Sequence, residues 1–338
     1  MKLKQLSELL GLSPTTVSRA LNGYPEVSEK TRRRVLEAAR AFSYQPSSSA
    51  KRLATGQSLT IGHVLTVGRH MTIDPHFADF IAGAGETYAR MGYDMLISVV
   101  PKSEEERVYR GFASSGKVDG IILHEPRVSE PRIPLLAELG LPFIVHGRSD
   151  EHAEGYSWLD VNNRRCFRRA AEFLMDLGHR RIALLNGIEE MNFAARRRAG
   201  YLDAHAARAL ASDPAIIFHD EMNEPNGHER ARALLSSALP PTAIMTSSVL
   251  QALGVLRAVQ EAGLRPGRDV SVVTHDDQLS FLQNPGAVPI FTATRSSIRE
   301  AGRRCAELVI GLSTDPGSGP VTELWEAELV VGTSTGPA

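Results

Sequence analysis

The sequence of 338 residues contains few cysteines and no long apolar run. Its two cysteines, Cys166 and Cys305, stand far apart without the spacing of metal ligands, so we expect buried, reduced thiols, no metal site and no cofactor. No stretch reaches the roughly 20 apolar residues of a transmembrane helix, and no signal-peptide pattern follows Met1. We therefore expect a cytoplasmic protein that does not engage a membrane.

The motifs of common nucleotide-binding and hydrolytic enzymes are also missing. The chain has no P-loop, no G-x-G-x-x-G after a strand and no G-x-S-x-G between a strand and a following helix. His275-Asp276-Asp277 is a candidate for acid–base chemistry, but it stands without a partner motif. We therefore expect a binding protein and not an enzyme.

Charge is distributed unevenly along the chain. The net charge is −1, yet residues 1–58 hold ten Lys and Arg residues against four acidic residues, which leaves the remainder acidic overall. A basic head on an acidic body indicates a polyanionic partner for the head alone. The length itself predicts more than one domain.

Residues 6–22, LSELLGLSPTTVSRALN, predict two short helices joined by a tight turn, because apolar residues recur there at helical spacing. Ser13 is suited to cap the second helix and Pro14 to begin it, whereas Asn22 and Gly23 are suited to end it. This is the helix-turn-helix pattern, whose second helix enters the major groove of DNA. The alternative is an ordinary corner in a helical domain.

A third helix and a hinge follow. Ser28 is suited to cap a helix that extends to Arg40. We expect a small core under the three helices, formed by Leu6, Leu10, Val17, Leu21, Val35 and Leu36. After Tyr44-Gln45-Pro46, the segment 47–58 places Leu53 beside basic residues. An apolar side chain next to cations is suited to wedge into the minor groove.

These residues resemble the DNA-binding head and hinge of the LacI/GalR family of bacterial transcription regulators. The resemblance is carried by T-V-S-R-x-L-N in the second helix, by V-S-x-x-T-R-x-x-V in the third, and by Y-x-P and R-L-A in the hinge. It implies a head over 1–46, a hinge helix over 47–58, and an effector-binding and dimerisation domain over 59–338.

The resemblance also implies which head residues contact DNA. Base contacts are expected from Pro14, Thr15 and Arg19, and the arginine is able to donate two hydrogen bonds to one guanine. Leu53 is the expected minor-groove wedge. Contacts to the phosphate backbone, which set register and not sequence, are expected from Ser13, Thr16, Ser18, Asn22, Ser28 and Thr31.

From Leu59 onward, short apolar runs alternate with amphipathic stretches, which predicts an α/β fold with parallel sheets. One series of strands precedes Asn163 and a second series follows it, so we expect two doubly wound lobes. The expected first lobe spans about 59–160 and 293–318, and the expected second lobe spans about 161–292 and 319–338. Several crossings between lobes would permit hinge closure on a ligand.

Polar residues follow the predicted strands, at the sheet edge where α/β proteins bind ligands. Each alone is better explained as a solvated loop or a helix cap, but together they predict a polar pocket between the lobes. Carboxylates and arginines match the vicinal hydroxyls of a sugar, and a phenylalanine is able to cover a ring face. On these grounds we expect ligand contacts from Asp74, Phe77, Arg148 and Phe193.

The resemblance extends into this region, to the family's periplasmic-binding-protein-like effector domain, through RRAGY at 197–201 and HDD at 275–277. It implies effector contacts from His76, Phe77, His124, Arg197, Ser248 and Asp276. The phrases DPHFADFIAGAGETY and WLDVNNRR are most similar to repressors of alpha-glucoside uptake operons in alphaproteobacteria. An alpha-glucoside is therefore the finer expectation for the ligand.

We expect a homodimeric DNA-binding regulator of the repressor type, which binds near-palindromic double-stranded operator DNA under the control of a small sugar. The absence of a leucine heptad after the last predicted strand favours a dimer over a tetramer. Two alternatives stay open: a co-repressor-type regulator that binds a purine or another metabolite, and a cytosolic sugar-binding protein that does not bind DNA.

Overall fold

The computed structural model describes residues 3–21, 23–44, 56–66, 75–150, 154–276, 278–280, 282, 288–315 and 317–338. The chain divides into two compact units, Met1–Leu59 and Thr60–Ala338. Some predicted features, namely Asn22, Leu53, most of the hinge segment, Asp74 and Asp277, lie outside the described residues.

The N-terminal unit is built from three helices: α1 (Leu3–Leu10), α2 (Pro14–Leu21) and α3 (Glu29–Ala41). Gly11 adopts a left-handed backbone with φ +63°, which lets the chain turn sharply between α1 and α2. The buried core consists of Leu6, Leu10, Val17, Ala20, Val35, Ala39 and Tyr44. The expected core position of Leu36 is wrong: Val35 and Ala39, one turn apart, face the core, and Leu36 is rotated onto the exposed face.

The larger unit alternates strands and helices. Its first part contains β1 (Thr60–Thr66), α4 (Pro75–Met91), β2 (Asp94–Val100), α5 (Glu105–Ser115), β3 (Gly120–Leu123), α6 (Arg132–Glu138), β4 (Phe143–His146) and β5 (Ser157–Val161). The second part contains α7 (Asn163–Asp176), β6 (Ile182–Asn186), α8 (Asn192–Ala207), β7 (Ile217–His219), α9 (Glu224–Leu235), β8 (Ala243–Thr246), α10 (Val249–Glu261) and β9 (Ser271–His275). The chain ends with β10 (Thr292–Arg295), α11 (Ile298–Thr314), β11 (Thr322–Trp325) and β12 (Glu328–Val330).

In the described part of the larger unit, the strands form two six-stranded sheets, in the orders β11-β5-β4-β3-β1-β2 and β12-β10-β9-β8-β6-β7. The strand pairs are parallel except that β12 runs antiparallel to β10. We call the first sheet and its helices the first lobe, and the second sheet and its helices the second lobe. The two doubly wound parallel-sheet lobes confirm the predicted α/β class.

The predicted boundaries of the lobes need two corrections. The strand β10 was expected in the first lobe, but it pairs with β9 in the second sheet. The segment 319–338 was expected entirely in the second lobe, but β11 pairs with β5 in the first sheet and only β12 returns to the second. These strands are short and polar, so their sequences do not reveal which apolar layer they cover. The strand β5 was not predicted either, because its five residues, SWLDV, mix apolar and polar types over too short a stretch to stand out.

Helices α4 and α11 pack very closely on the first sheet. A Cβ atom at Gly83 would lie 1.9 Å from the carbonyl oxygen of Arg299, and one at Gly302 would lie 2.1 Å from that of Phe80. These two glycines therefore allow the backbones to touch, which fixes the position of α4 and of the aromatic side chains at its N-terminal end. Across the described part of the chain, none of the helices combines the length and apolar character needed to span a lipid bilayer.

Candidate functional site

Helix α2 of the N-terminal unit turns one face to solvent. Val17 and Ala20 are buried in the core, whereas Pro14, Thr15 and Arg19 are exposed. Thr15 and Arg19 are four residues apart, so they lie one turn from each other on the same face. The residues expected to contact bases thus share an accessible surface of α2.

Hydroxyl pairs organise the N-terminal ends of α2 and α3. Ser13 Oγ accepts a hydrogen bond from the backbone N–H of Thr16 at 3.1 Å and lies 2.8 Å from its hydroxyl. Ser28 does the same for Thr31, at 3.3 and 2.9 Å. A helix N-terminus favours anions, so these caps hold hydroxyls where a phosphate would be stabilised. Ser18, the remaining described candidate, is half-buried on α2.

In the first lobe, aromatic and imidazole rings meet beyond the ends of β3 and β4. Phe77 and Phe80, three residues apart on α4, place their ring centroids 5.2 and 4.9 Å from that of His124. The ring of His146 is tilted by 37° against that of Phe80, with the centroids 4.6 Å apart, and lies 6.3 Å from His124. Burial lowers the pKa of His146 to about 4, although the charge of Asp276 opposes this shift. The first-lobe side of the predicted pocket between the lobes, which we call the cleft, is therefore neutral and largely aromatic.

Arg148 is held at the edge of the same lobe by residues of β5. Its Nε donates a 2.9 Å hydrogen bond to Asp160, and its guanidinium lies 5.2 Å from the centre of the Trp158 ring. Burial raises the pKa of Asp160, and the cations of Arg148 and Arg196 act in the opposite direction. Asp160 is 6% exposed and was not among the predicted site residues.

Arg197 is the central cation of the second lobe. It projects from α8, where its Nε donates to Asn163 Oδ1 and its Nη1 donates to the carbonyl of Ser247, both at 2.7 Å. Its guanidinium lies 4.8 Å from the ring centre of Phe193. Burial lowers the pKa of Arg197 to about 10, so it remains charged at neutral pH.

Asp276 supplies the opposite charge just after β9. Its carboxylate accepts a 2.7 Å hydrogen bond from the backbone N–H of Ser296 and lies 3.1 Å from His275 Nε2. Burial raises the pKa of Asp276, but His275 and the Ser296 hydrogen bond outweigh burial, and the pKa falls below its ordinary value. The residue has φ +46°, a left-handed backbone that non-glycine residues adopt at an energetic cost.

Ser248 plays a more structural part than expected. Its hydroxyl caps α10 by accepting a 3.1 Å hydrogen bond from the N–H of Leu250, and the residue is 1% exposed. It follows Ser247, whose carbonyl holds Arg197. Ser248 therefore lies beside the predicted cleft, with its hydroxyl engaged in the cap.

Charges and contacts connect the two lobes around this region. The charge of Asp276 acts on His76 and His146, and that of Asp160 acts on Arg197. These particular residues of the two lobes therefore lie within electrostatic reach of each other. His76 and Phe77 lie in the first turn of α4, and this helix begins directly after Asp74 in the sequence.

Direct hydrogen bonds between the lobes flank the cleft. On one side, the N–H of Asn192 donates to the carbonyl of Pro126 at 3.0 Å, and that of Val128 donates to the carbonyl of Glu190 at 2.9 Å. On the other side, the N–H of Ser280 donates to Asp79 at 2.8 Å. Asp79 lies on α4, so the helix that carries the aromatic wall also contacts the second lobe.

Sequence reasoning missed several residues of the cleft. Phe80 was detectable, since it follows Phe77 at helical spacing. Asp160 and Asn163 lie in the quoted phrase WLDVNNRR, but no local pattern marks either as a site residue. Two other buried residues, His63 and Tyr88, support His124 from behind and were not predicted. Within the described part of the chain, no group of three or more His, Cys, Asp or Glu residues is placed to hold a metal ion.

Two arrangements imitate catalytic motifs. Cys166 lies 3.7 Å from His275, which in turn faces Asp276, but burial raises the pKa of the thiol to about 11 and so disfavours the thiolate. The tail contains a literal G-x-S-x-G at 332–336, but no helix follows it, as a nucleophile elbow requires. Its Ser334 is 1% exposed and donates to the carbonyl of Val272 at 2.6 Å, so it joins strands.

Comparison with known proteins assigns both units. The family model "Bacterial regulatory proteins, lacI family" matches residues 2–47, and the model "Periplasmic binding protein-like domain" matches residues 171–335. The HTH-type transcriptional regulator AglR of Rhizobium meliloti (strain 1021) is 44% identical over 338 residues, which cover 100% of this chain and 95% of that protein.

Two solved structures have the same fold over nearly the full length of the chain. The Lac repressor dimer bound to operator and the anti-inducer ONPF has a TM-score of 0.84 at 25% identity, with 99% of both chains covered. The complex of the transcriptional regulator CelR with cellobiose has a TM-score of 0.73 at 27% identity, again with 99% of both chains covered.

The head and the two-lobed body together define a helix-turn-helix, DNA-binding transcription regulator. The chain belongs to the LacI family of bacterial regulatory proteins. The family predicted from the sequence is thereby confirmed.

Proposed function

We propose that this regulator is a cytoplasmic, homodimeric repressor whose affinity for operator DNA is controlled by a saccharide bound between its two lobes. The observation that carries the proposal is the pairing of an aromatic wall in the first lobe with Arg197 and Asp276 in the second. The rings of Phe77 and Phe80 are suited to cover a sugar face, while the charged pair is suited to bind its hydroxyls.

Hydrogen-bond capacity supports a neutral, hydroxyl-rich ligand. Arg197 uses Nε and Nη1 within the protein, which leaves Nη2 as a donor without a partner among the described residues. Asp276 has opposite charge, so the two residues offer a donor and an acceptor to adjacent hydroxyls of one ring. A strongly charged ligand would leave one member of this pair unmatched in a buried site.

An alpha-glucoside is the finer proposal for the ligand. The segments 74–88 and 158–165 are similar to repressors of alpha-glucoside uptake operons, and the second of them contains Asp160. CelR, a relative by structure, has been solved with the disaccharide cellobiose. A cleft lined from both lobes suits a disaccharide, because each ring is then able to contact one wall.

For the head, we propose that Pro14, Thr15 and Arg19 contact base edges and that Ser13, Thr16, Ser18, Asn22, Ser28 and Thr31 contact the backbone. The exposed face of α2 and the capped hydroxyl pairs support these roles. Leu53 is the proposed minor-groove wedge. Two heads of a dimer would bind a near-palindromic operator, because the protein and the DNA would share a two-fold axis.

We also propose that the chain has no catalytic activity and needs no metal or cofactor. The support is the state of its nucleophiles: Cys166 is held as a thiol and Ser334 is engaged in the sheet. A bound saccharide would therefore leave the site unchanged.

Calorimetry on the full-length protein tests the ligand. We expect maltose, sucrose or trehalose to bind with a stoichiometry of one per chain, and the β-linked disaccharide cellobiose to bind more weakly. Product analysis after long incubation should return intact sugar. Binding of a purine in place of every saccharide would overturn the proposal.

A further inference from the structure

A buried chain of hydrogen bonds lies behind the aromatic wall. The hydroxyl of Tyr88, on α4, is 3.0 Å from Nε2 of His63, on β1, and Nδ1 of His63 is 2.9 Å from Nε2 of His124. The exposed fraction of the three residues is 2%, 0% and 6%. The site proposed above uses only the last of them, so the other two buried polar side chains have no assigned role.

The imidazoles of His63 and His124 are both neutral. Burial lowers the pKa of His63 to about 3, and burial together with His63, His146 and Arg132 lowers that of His124 far below its ordinary value. A neutral imidazole carries one N–H and one bare nitrogen. Nδ1 of His63 and Nε2 of His124, 2.9 Å apart, therefore share one proton. The hydrogen bonds from Tyr88 to His124 then have only two possible directions of donation.

Tyr88 selects the direction. Among the described residues, the acceptor within reach of its hydroxyl is His63 Nε2. If the phenol accepted a hydrogen bond from His63 instead, its own O–H would be buried without an acceptor, which is unfavourable. Tyr88 therefore donates to Nε2 of His63, and His63 donates from Nδ1 to Nε2 of His124.

We propose that Tyr88 and His63 are positioning residues that fix His124 as an Nδ1–H donor toward the effector. The proposal rests on the saccharide site proposed above. Nδ1 of His124 has no hydrogen-bond partner among the described residues, so it is available to a ligand. The effector must then place an oxygen acceptor at this position, and a ligand with only N–H donors there would be rejected.

The direction of the chain is measurable without any ligand. In the full-length protein labelled with ¹⁵N-histidine, long-range ¹H–¹⁵N spectra distinguish the two neutral forms of each ring, and the His124→Gln variant assigns the signals of His124. We expect His124 to carry its proton on Nδ1. A proton on Nε2 would overturn the proposal, whether or not a saccharide binds.

The effect on recognition is tested with two matched hydroxyl deletions. Y88F removes the group that directs the chain, whereas Y201F removes a buried hydroxyl that donates to the carbonyl of Ile182 at 2.7 Å, at the start of β6 and away from the cleft. By calorimetry with maltose, sucrose and trehalose, we expect Y88F to weaken binding about three- to tenfold and Y201F to change it less than about twofold.

Equal affinity of Y88F and the wild type would overturn the positioning role. If Y88F does not fold, as judged by its circular dichroism spectrum, the form of His124 in the wild type still decides the direction of the chain. If the wild type binds no saccharide, the proposed ligand class fails, while the histidine spectra still decide the inference about Tyr88 and His63.

Discussion

The two walls of the cleft differ in how they are built. The first lobe presents neutral rings, with Phe77, Phe80 and His146 gathered around His124. The second lobe presents ions, with Arg197 and Asp276 each anchored by hydrogen bonds to its own lobe. A ligand held between them would gain ring contacts from one side and charge-assisted hydrogen bonds from the other.

This difference explains how such a cleft could report on ligand binding. Neither wall alone offers a sugar both a flat apolar face and paired polar groups. A saccharide would therefore favour the arrangement of the lobes in which both walls reach it, and a ligand shifts an equilibrium only through such differential contacts. In the present structure, the backbone hydrogen bond from Asn192 to the carbonyl of Pro126 joins the two lobes.

The largest expected effect is a pH dependence of the free energy of unfolding, because the first wall contains a buried neutral histidine and the second wall contains a carboxylate. His146 binds a proton at its ordinary pKa of 6.5 when unfolded but only at about 4 when folded, because burial disfavours its charged form. The unfolded state therefore gains protons first as the pH falls, so stability is complete above pH 6.5 and declines toward pH 4, by about 3 kcal/mol for this residue. Urea unfolding of the body at pH 7, 6 and 5 measures the decline.

H146Q should remove only the share of this decline that belongs to His146, because His63 and His124 are also buried and neutral and contribute to the rest. H228Q, a change at a surface histidine beside Glu261, should leave the decline unchanged. The pKa of Asp276 is lowered, so its contribution to stability is present above its ordinary pKa of 3.8 and is lost only below it. A decline confined to pH values below 4 would contradict the neutral state assigned to the first wall.

Removal of the charge from the second wall should have the next largest effect. D276N replaces a carboxylate with an amide of the same shape, so we expect saccharide affinity to fall roughly 10- to 100-fold through the loss of charge-assisted hydrogen bonds. Calorimetry measures this change. The control D203N alters a half-exposed partner of Arg164 and should leave affinity unchanged; equal losses in both variants would argue against a role of Asp276 in the cleft.

A smaller effect is expected from the first wall. F77L keeps apolar volume but removes the flat ring, so we expect affinity for the saccharide to fall about three- to tenfold. F173L makes the same change on the half-buried face of α7 and serves as the control in the same calorimetric titration. An F77L loss as large as that of D276N would remove the distinction between the walls.

The sequence revealed the head well because its signals are local. Caps, helical spacing and turn residues lie within a few positions of each other, and Ser28 caps α3 as predicted. Leu36 was misplaced because it differs from a buried neighbour by a single position. In the body, apolar runs such as Ile182–Asn186 located the central strands, whereas the short strands of mixed polarity β5, β10 and β11 were missed or assigned to the wrong lobe.

The cleft was only partly predictable, because its support comes from residues distant in the chain. His63 lies on an apolar strand and resembles an ordinary core residue. Its contacts with Tyr88 and His124 arise 25 and 61 residues away, through the packing of α4 and the pairing of β1 with β3. The periodicity of apolar residues within a helix or strand does not reveal contacts between side chains that are far apart in the sequence. The same applies to Cys166 and His275, which are 109 residues apart.

The most direct test of the proposed function is the operator affinity of the full-length protein with and without a saturating alpha-glucoside. Fluorescence anisotropy would use an operator selected by the wild-type protein from random duplex DNA. We expect the sugar to change the Kd of the wild type for this operator by about 5- to 150-fold and to leave that of D276N nearly unchanged. An operator affinity of the wild type that is unaffected by any saccharide shown to bind would contradict saccharide control of DNA binding.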